Sequence, residues 1–181
     1  MNFSKTRHPE VLIVRPQVFY DTRGYFMETF QKEQFHDFGI EDDFVQDNQS
    51  SSSQFTLRGL HYQVKHTQGK LVRVVLGEIF DVAVDLRQNS PNFGVWVGVN
   101  LSEENKEQLW IPPGFAHGFL VLSERADVVY KTTDYYDRES ERCVRWDDPD
   151  LNINWPLPEG VVPLVSEKDA GGNSFANAEV F

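Results

Sequence analysis

The chain of 181 residues is 40% hydrophobic, 13% aromatic and 25% charged, the balance of a folded globular protein and not of a disordered or collagen-like one. Seventeen Lys plus Arg against twenty-eight Asp plus Glu leave a formal net charge of -11, which argues against broad electrostatic capture of nucleic acid or anionic lipid. The lone cysteine, Cys143, excludes an internal disulfide and a thiolate metal cluster, and neither a signal-like apolar core in Met1–Pro9 nor a bilayer-length apolar run is present, so a cytoplasmic protein without membrane contact is expected.

In chain order, the first strand signal is Val11–Val14, followed by one short helix predicted within Thr29–Phe38 and closed by Gly39. The serine run Ser50–Ser53 reads as a loop. Runs rich in Val, Ile, Phe and Tyr then predict strands at Lys70–Leu76, Ile79–Leu86, Val95–Leu101 and Ala126–Thr133, separated by Gly77, Pro91, Gly94 and Pro112-Pro113-Gly114. Pro156, Pro158 and Pro163 mark an irregular C-terminal stretch that covers the main body, and Gly171-Gly172-Asn173-Ser174 reads as a loop. Short strands without intervening helices predict an all-β sandwich, jelly roll or barrel with minor helices, in one domain spanning 1–181.

Strand parity sorts the polar residues. Phe80, Val82, Val84 and Leu86 share one face, and Asp81, Ala83 and Asp85 share the other, which faces either solvent or a wet cavity. Unbroken alternation would put Arg58 and Leu60 opposite Leu57, Gly59 and His61. The same rule gives Tyr130 and Tyr136 one surface if the strand persists.

Chemistry concentrates in Arg58-Gly59-Leu60-His61-Tyr62-Gln63, Gln68-Gly69-Lys70 and Pro112-Pro113-Gly114-Phe115-Ala116-His117-Gly118. A strand histidine taken alone is more often a hydrogen-bonded structural group than a base; here a second histidine, a lysine and tyrosines accompany it. Pro112-x-Gly114-x-x-His117 resembles the second signature of the cupin superfamily, whose fold is a small jelly-roll barrel. A complete cupin metal cage is missing, because Gln63 stands two residues after His61 and neither Val121 nor Leu122 can ligate. No metal and no cofactor is expected. His8, His36 and His66 sit in polar, loop-like contexts and are expected at the surface.

The blocks Asp21–Glu28, Phe44–Asn48, Leu57–Gln63, Gln68–Arg73, Phe80–Asp85, Trp110–Phe119, Tyr130–Thr133 and Ser166–Asp169 together resemble the dTDP-4-dehydrorhamnose 3,5-epimerase family over nearly the whole chain. The resemblance implies a metal-free cupin jelly roll, a homodimer, and inversion of C3 and C5 of dTDP-4-dehydro-6-deoxy-D-glucose to give dTDP-4-dehydro-L-rhamnose. A relative that inverts only C5 or only C3, or a ketoisomerase, is the alternative. Outside that class stand a non-catalytic sugar-nucleotide-binding module and a metal-dependent cupin oxygenase.

Both carbons flank the C4 ketone, so either deprotonation gives an enolate on the same oxygen, and inversion needs a base on one face of the ring and an acid on the other. Imidazole is the side chain that ordinarily titrates nearest physiological pH, which suits His61 as base. The resemblance implies Asp169 beside it, Tyr130 as the acid from the opposite face, Lys70 at the enolate oxygen, and His117 in binding or at the same oxygen. For the nucleotide it implies Arg23, Arg58 and Lys168 at the diphosphate, with Glu28, Gln46, Asp47 and Asn48 at thymine, deoxyribose or phosphate. Tyr136 or Phe26 is expected to stack on the base. Gln49, Glu141 and Cys143 depart from the family pattern, and Glu141 is still expected to reach the substrate. The resemblance further implies an N-terminal strand donated to a partner's sheet, carrying Arg23 and Glu28 to its site and capping an exposed edge.

Overall fold

The computed structural model describes residues 1–181. Thirteen strands form two stacked antiparallel sheets and one projecting hairpin. The larger sheet orders β1 (Asn2–Lys5), β2 (Leu12–Arg15), β10 (Gln108–Ile111), β7 (Lys70–Leu76), β12 (Arg125–Thr132) and β5 (Gln46–Ser53). The smaller sheet orders β13 (Glu141–Cys143), β6 (Leu57–Gln63), β11 (Phe115–Val121), β8 (Glu78–Asp85) and β9 (Trp96–Ser102). β3 (Val18–Asp21) and β4 (Gly24–Met27) pair only with each other. Two short helices, α1 (Lys32–Asp37) and α2 (Glu167–Ala170), complete the predicted cupin-type jelly roll.

Three apolar layers hold it together. Between the sheets lie Val72, Val74, Ile79, Ala83, Val97, Leu101, Leu109 and Phe119. The outer face of the smaller sheet presents Leu57, Leu60, Val82, Val84 and Leu120, covered by Leu151, Trp155 and other residues of the Pro-punctuated C-terminal stretch. Phe35 of α1 and Ile40 cover Leu71 and Trp110 of the larger sheet. Parity therefore holds along β8: Val82 and Val84 point to the outer layer, Ile79 and Ala83 to the inner one. Asp81 and Asp85, on the inward face, are fully buried.

Three sequence expectations need correction. The serine run is no loop but the end of β5, paired along its length with β12; polar residues on both faces conceal the strand period. His8 is 1% exposed rather than superficial, because its Nε2 lies 3.2 Å from the buried Asp85, which also takes Arg87 and Ser90. Alternation fails in β6, where Arg58 pairs with Phe119 but His61 pairs with His117, so two residues of β6 stand against Gly118 alone. This bulge puts Leu57 and Leu60 together in the outer layer and turns Arg58 and His61 toward one cavity.

The bulge depends on glycine at two positions. Gly59 has φ +113°, and a Cβ there would stand 2.6 Å from Gly118 Cα and from the His117 carbonyl oxygen. Gly59→Ala adds backbone strain to a contact with main chain that cannot move aside, so a loss of about 3 kcal/mol is expected in urea unfolding, together with loss of activity. An unchanged denaturation midpoint in Gly59→Ala would contradict this account of the bulge.

Candidate active site

The inner ends of both sheets enclose a cavity of about 500 Å³. Arg58 and His61 reach it from β6 and His117 from β11, all in the smaller sheet; Lys70 from β7 and Tyr130 from β12 reach it from the larger one. The covering segment contributes Leu164, Val165, Ser166, Lys168 and Asp169. α2 exists at this point because Ser166 caps it, its Oγ accepting the Asp169 amide at 3.1 Å, and that turn carries Asp169 to the barrel.

His61 Nε2 lies 2.6 Å from Asp169 Oδ1, and Asp169 Oδ2 accepts the Gly59 amide at 3.4 Å. Burial pushes the Asp169 carboxyl up, but His61, the Gly59 amide and the Ser166 hydroxyl together bring it below the ordinary carboxylate range. The ionised carboxylate accepts Nε2–H and leaves the Nδ1 lone pair free. Glu141 Oε1 stands 3.6 Å from that Nδ1, while its other oxygen binds Lys168 at 2.5 Å and the Tyr136 hydroxyl at 2.8 Å. Glu141 is likewise raised by burial and lowered further by Lys168 and Tyr136, for a net fall. Two carboxylates therefore flank the imidazole, one at each ring nitrogen.

The opposite wall is different in kind. Burial pushes the Tyr130 phenol upward, with Arg58 opposing, so Tyr130 keeps its proton at neutral pH. Burial brings the Lys70 ammonium down to about 8, against the attraction of Asp81 and Glu141; its Nζ lies 3.5 Å from the His61 carbonyl. His117 Nε2 sits 2.8 Å from Asp81, whose carboxyl burial raises against the pull of His117 and Lys70.

Of the residues named from sequence, His61, Lys70, Arg58, His117, Tyr130, Lys168 and Asp169 converge on this cavity, with Glu141 against His61. Gln46 and Asn48 form an adjoining pair on β5, Gln46 Nε2 donating to Asn48 Oδ1 at 2.9 Å. Asp47 faces the other side of β5 and binds Lys131. Tyr136 has left the strand, which ends at Thr132, but the backbone returns its hydroxyl to Glu141. Arg23 and Glu28 lie away from the cavity: Arg23 pairs with Asp21 on the exposed hairpin, and Glu28 accepts Gln34 Nε2 at 3.2 Å. Sequence reasoning passed over Ser50, Thr56, Phe119 and Leu164 as lining residues. The helix-capping pattern Ser166-x-x-Asp169 was a usable signal for the turn that delivers Asp169.

His61, Cys143 and Asp169 offer the nearest approach to a metal-ligand group, with their donor atoms within 4.8 Å of one another. The donor set is poor for an ion. His61 and Asp169 stand at hydrogen-bond distance, closer than the ~3.3 Å between ligands of a tetrahedral zinc, and the third donor is a protonated thiol.

A jelly roll that sets a carboxylate-flanked imidazole on one sheet against a phenol and an ammonium on the other suits an isomerase that works by proton transfer. The model of the dTDP-4-dehydrorhamnose 3,5-epimerase family matches residues 5–177. The chain belongs to that family. It is 54% identical over 182 residues to the dTDP-4-dehydrorhamnose 3,5-epimerase of Pseudomonas aeruginosa, covering 100% of this chain and 99% of the relative. The crystal structure of dTDP-6-deoxy-D-glucose-3,5-epimerase from Legionella pneumophila, in complex with dTDP-4-keto-L-rhamnose, superposes with a TM-score of 0.94 at 53% identity, over 98% of this chain and 94% of that one. A 3'-monoepimerase from Streptomyces bikiniensis in complex with dTDP-quinovose is also similar, with a TM-score of 0.87 at 31% identity, over 95% of this chain and 87% of that one.

Burial and the neighbouring Asp169 push the Cys143 thiol up to about 12, so little thiolate forms at neutral pH despite its place beside His61. Iodoacetamide at pH 7.5 is accordingly expected to leave activity unchanged for hours. Rapid inactivation with one carboxymethyl group at Cys143 would show that the thiol is ionised.

Proposed function

We propose that the protein, as one domain over residues 1–181, inverts C3 and C5 of dTDP-4-dehydro-6-deoxy-D-glucose through enolates, with His61 as base and Tyr130 as acid. The observation that carries this reading is the placement of His61 and Tyr130 on opposing sheets with one cavity between them. His61 Nδ1 removes the proton next to the C4 ketone; Asp169 and Glu141 stabilise the imidazolium that results. Lys70, protonated, meets the enolate oxygen, which C3 and C5 deprotonation have in common; a preorganised donor of this kind is worth about 3 kcal/mol of barrier. Tyr130 then delivers its proton from the other face, and the neighbouring His117, held by Asp81, supports binding at the same oxygen. Arg58 and Lys168 supply positive charge for the diphosphate, which a chain of net charge -11 must concentrate at one place. Gln46 and Asn48, paired on the inward face of β5, and Tyr136, whose hydroxyl reaches Glu141, are the nearest groups for the nucleoside, whereas Asp47 faces away.

In deuterium oxide, turnover is expected to place deuterium at both C3 and C5. His61→Ala is expected to lower kcat about 10³-fold with circular dichroism unchanged. Tyr130→Phe is expected to exchange hydrogen for deuterium with little inversion. Deuterium at a single carbon would favour the second reading, a monoepimerase, which the likeness to the Streptomyces bikiniensis enzyme keeps in play.

Because Lys70 acts as its ammonium form and burial brings it down to about 8, kcat/KM is expected to fall as pH rises through that value. Lys70→Gln is expected to lose this basic limb along with most of its activity. A limb that persists in Lys70→Gln would assign it to another group.

The active form is a homodimer in this reading. β1 pairs with β2 of its own chain, so the segment free to reach a partner is the β3–β4 hairpin, with Tyr20 and Phe26 about seven-tenths exposed. That hairpin carries Arg23 and Glu28 toward the partner's cavity. Mixed Arg23→Ala and His61→Ala proteins should then recover about a quarter of wild-type activity, since each mixed dimer rebuilds one intact site. No recovery after exchange of subunits would show that Arg23 does not complete the partner's site.

A further inference from the structure

On the inward face of β5, Gln46, Asn48, Ser50 and Ser52 follow one another at every second residue. Gln46 and Asn48 hydrogen bond to each other, and the Ser52 hydroxyl accepts Arg58 Nε at 3.0 Å, a contact that ties the two sheets together at the cavity wall. Ser50 has no such partner. Its Oγ is the one buried side-chain polar atom without a hydrogen bond, and Ser50 lines the cavity. Withdrawing a hydroxyl from water without a replacement bond opposes folding, and such groups in native proteins call for a partner from outside the chain.

Arg58, though exposed, is also sparsely partnered. Nε is its single hydrogen-bonded nitrogen, and no carboxylate pairs with its guanidinium, although acidic residues outnumber basic ones by twenty-eight to seventeen. Ser52, two residues from Ser50 on β5, fixes the near end of the guanidinium and leaves both terminal nitrogens open, and Arg58 and Ser50 both line the cavity. A hydroxyl and a guanidinium lining one cavity suit a group that only accepts hydrogen bonds and carries negative charge. A phosphoryl oxygen meets both conditions; a sugar hydroxyl meets neither fully.

We propose that the Ser50 hydroxyl is a substrate-binding group that donates to a phosphoryl oxygen of the diphosphate, alongside the terminal nitrogens of Arg58. The proposal rests on the nucleotide-sugar reading of the cavity. Ser50 binds and does not take part in proton transfer, so its loss affects ground state and transition state alike.

The test is calorimetric titration of dTDP and of thymidine into wild type, Ser50→Ala and Ser50→Thr, together with steady-state kinetics on the dTDP-4-keto sugar. Ser50→Ala is expected to weaken dTDP about 10-fold to 100-fold and to raise KM by the same factor, with kcat within about twofold. Thymidine binding should not change, and Ser50→Thr should stay within about threefold of wild type. The free Ser50→Ala protein should melt no lower than wild type, since the hydroxyl it loses has no partner. Should alanine loosen the strand, Ser50→Cys, close in size and a much weaker donor, tests the same contact. Unchanged dTDP affinity in the variants overturns the proposal, as does a fall in kcat at unchanged dTDP affinity. A wild-type protein that binds dTDP no better than thymidine would instead overturn the reading of the cavity itself.

Discussion

The close approach of Gly59 to Gly118 governs the rest of the site. Two strands of the smaller sheet come nearer there than any side chain allows, and one residue of β6 is left over in the pairing with β11. Leu57 and Leu60 can then both join the outer apolar layer, while Arg58 and His61 both face inward. A regular strand would have separated the two, putting either the cation or the imidazole on the wrong side. The Gly59 amide, turned by the same irregularity, also donates to Asp169 and so helps orient the carboxylate that holds His61.

The two sheets divide the chemistry between them. The smaller sheet and the covering segment supply histidines bonded to carboxylates, groups suited to accept a proton. The larger sheet supplies a phenol and an ammonium, groups that hold one in a buried setting. A sugar ring lying between the sheets would have each of its faces toward one kind of group. Under the proposed assignment of base and acid, stereochemical inversion follows from architecture: the two groups are kept apart by the packing of two β-layers, and the interior core that spaces those layers sets their separation.

Much of this was legible in the sequence, and the failures have identifiable causes. The strands from Lys70 to Thr133 were plain because apolar, β-branched residues recur with turns between them. β5 was hidden because Gln46–Ser53 is polar on both faces, one toward solvent and one toward a wet cavity, so no apolar period marks it. The surface assignment of His8 failed because its partner, Asp85, lies 77 residues away and its loop is polar in composition. The side on which Arg58 faces was misjudged because a bulge changes parity without changing composition; Gly59 was its one local sign. His61, Lys70 and Tyr130 could be named from motif blocks, but their convergence depends on which strands become neighbours, and that information is spread over the whole chain.

The four-residue helix that ends in Ala170 holds the carboxylate that binds His61, although it contributes no strand to either sheet. Asp169 arrives from a mostly irregular segment fastened by a serine cap, by backbone bonds from Leu164 to Phe55 and Leu57 and from Asn173 to Cys143 and Arg145, and by Val165 and Phe175 against the outer apolar layer. The carboxylate beside His61 therefore depends on the docking of this covering segment, and fraying of the segment would withdraw Asp169 from the imidazole. Turnover, in such a molecule, reports on the docking of its tail.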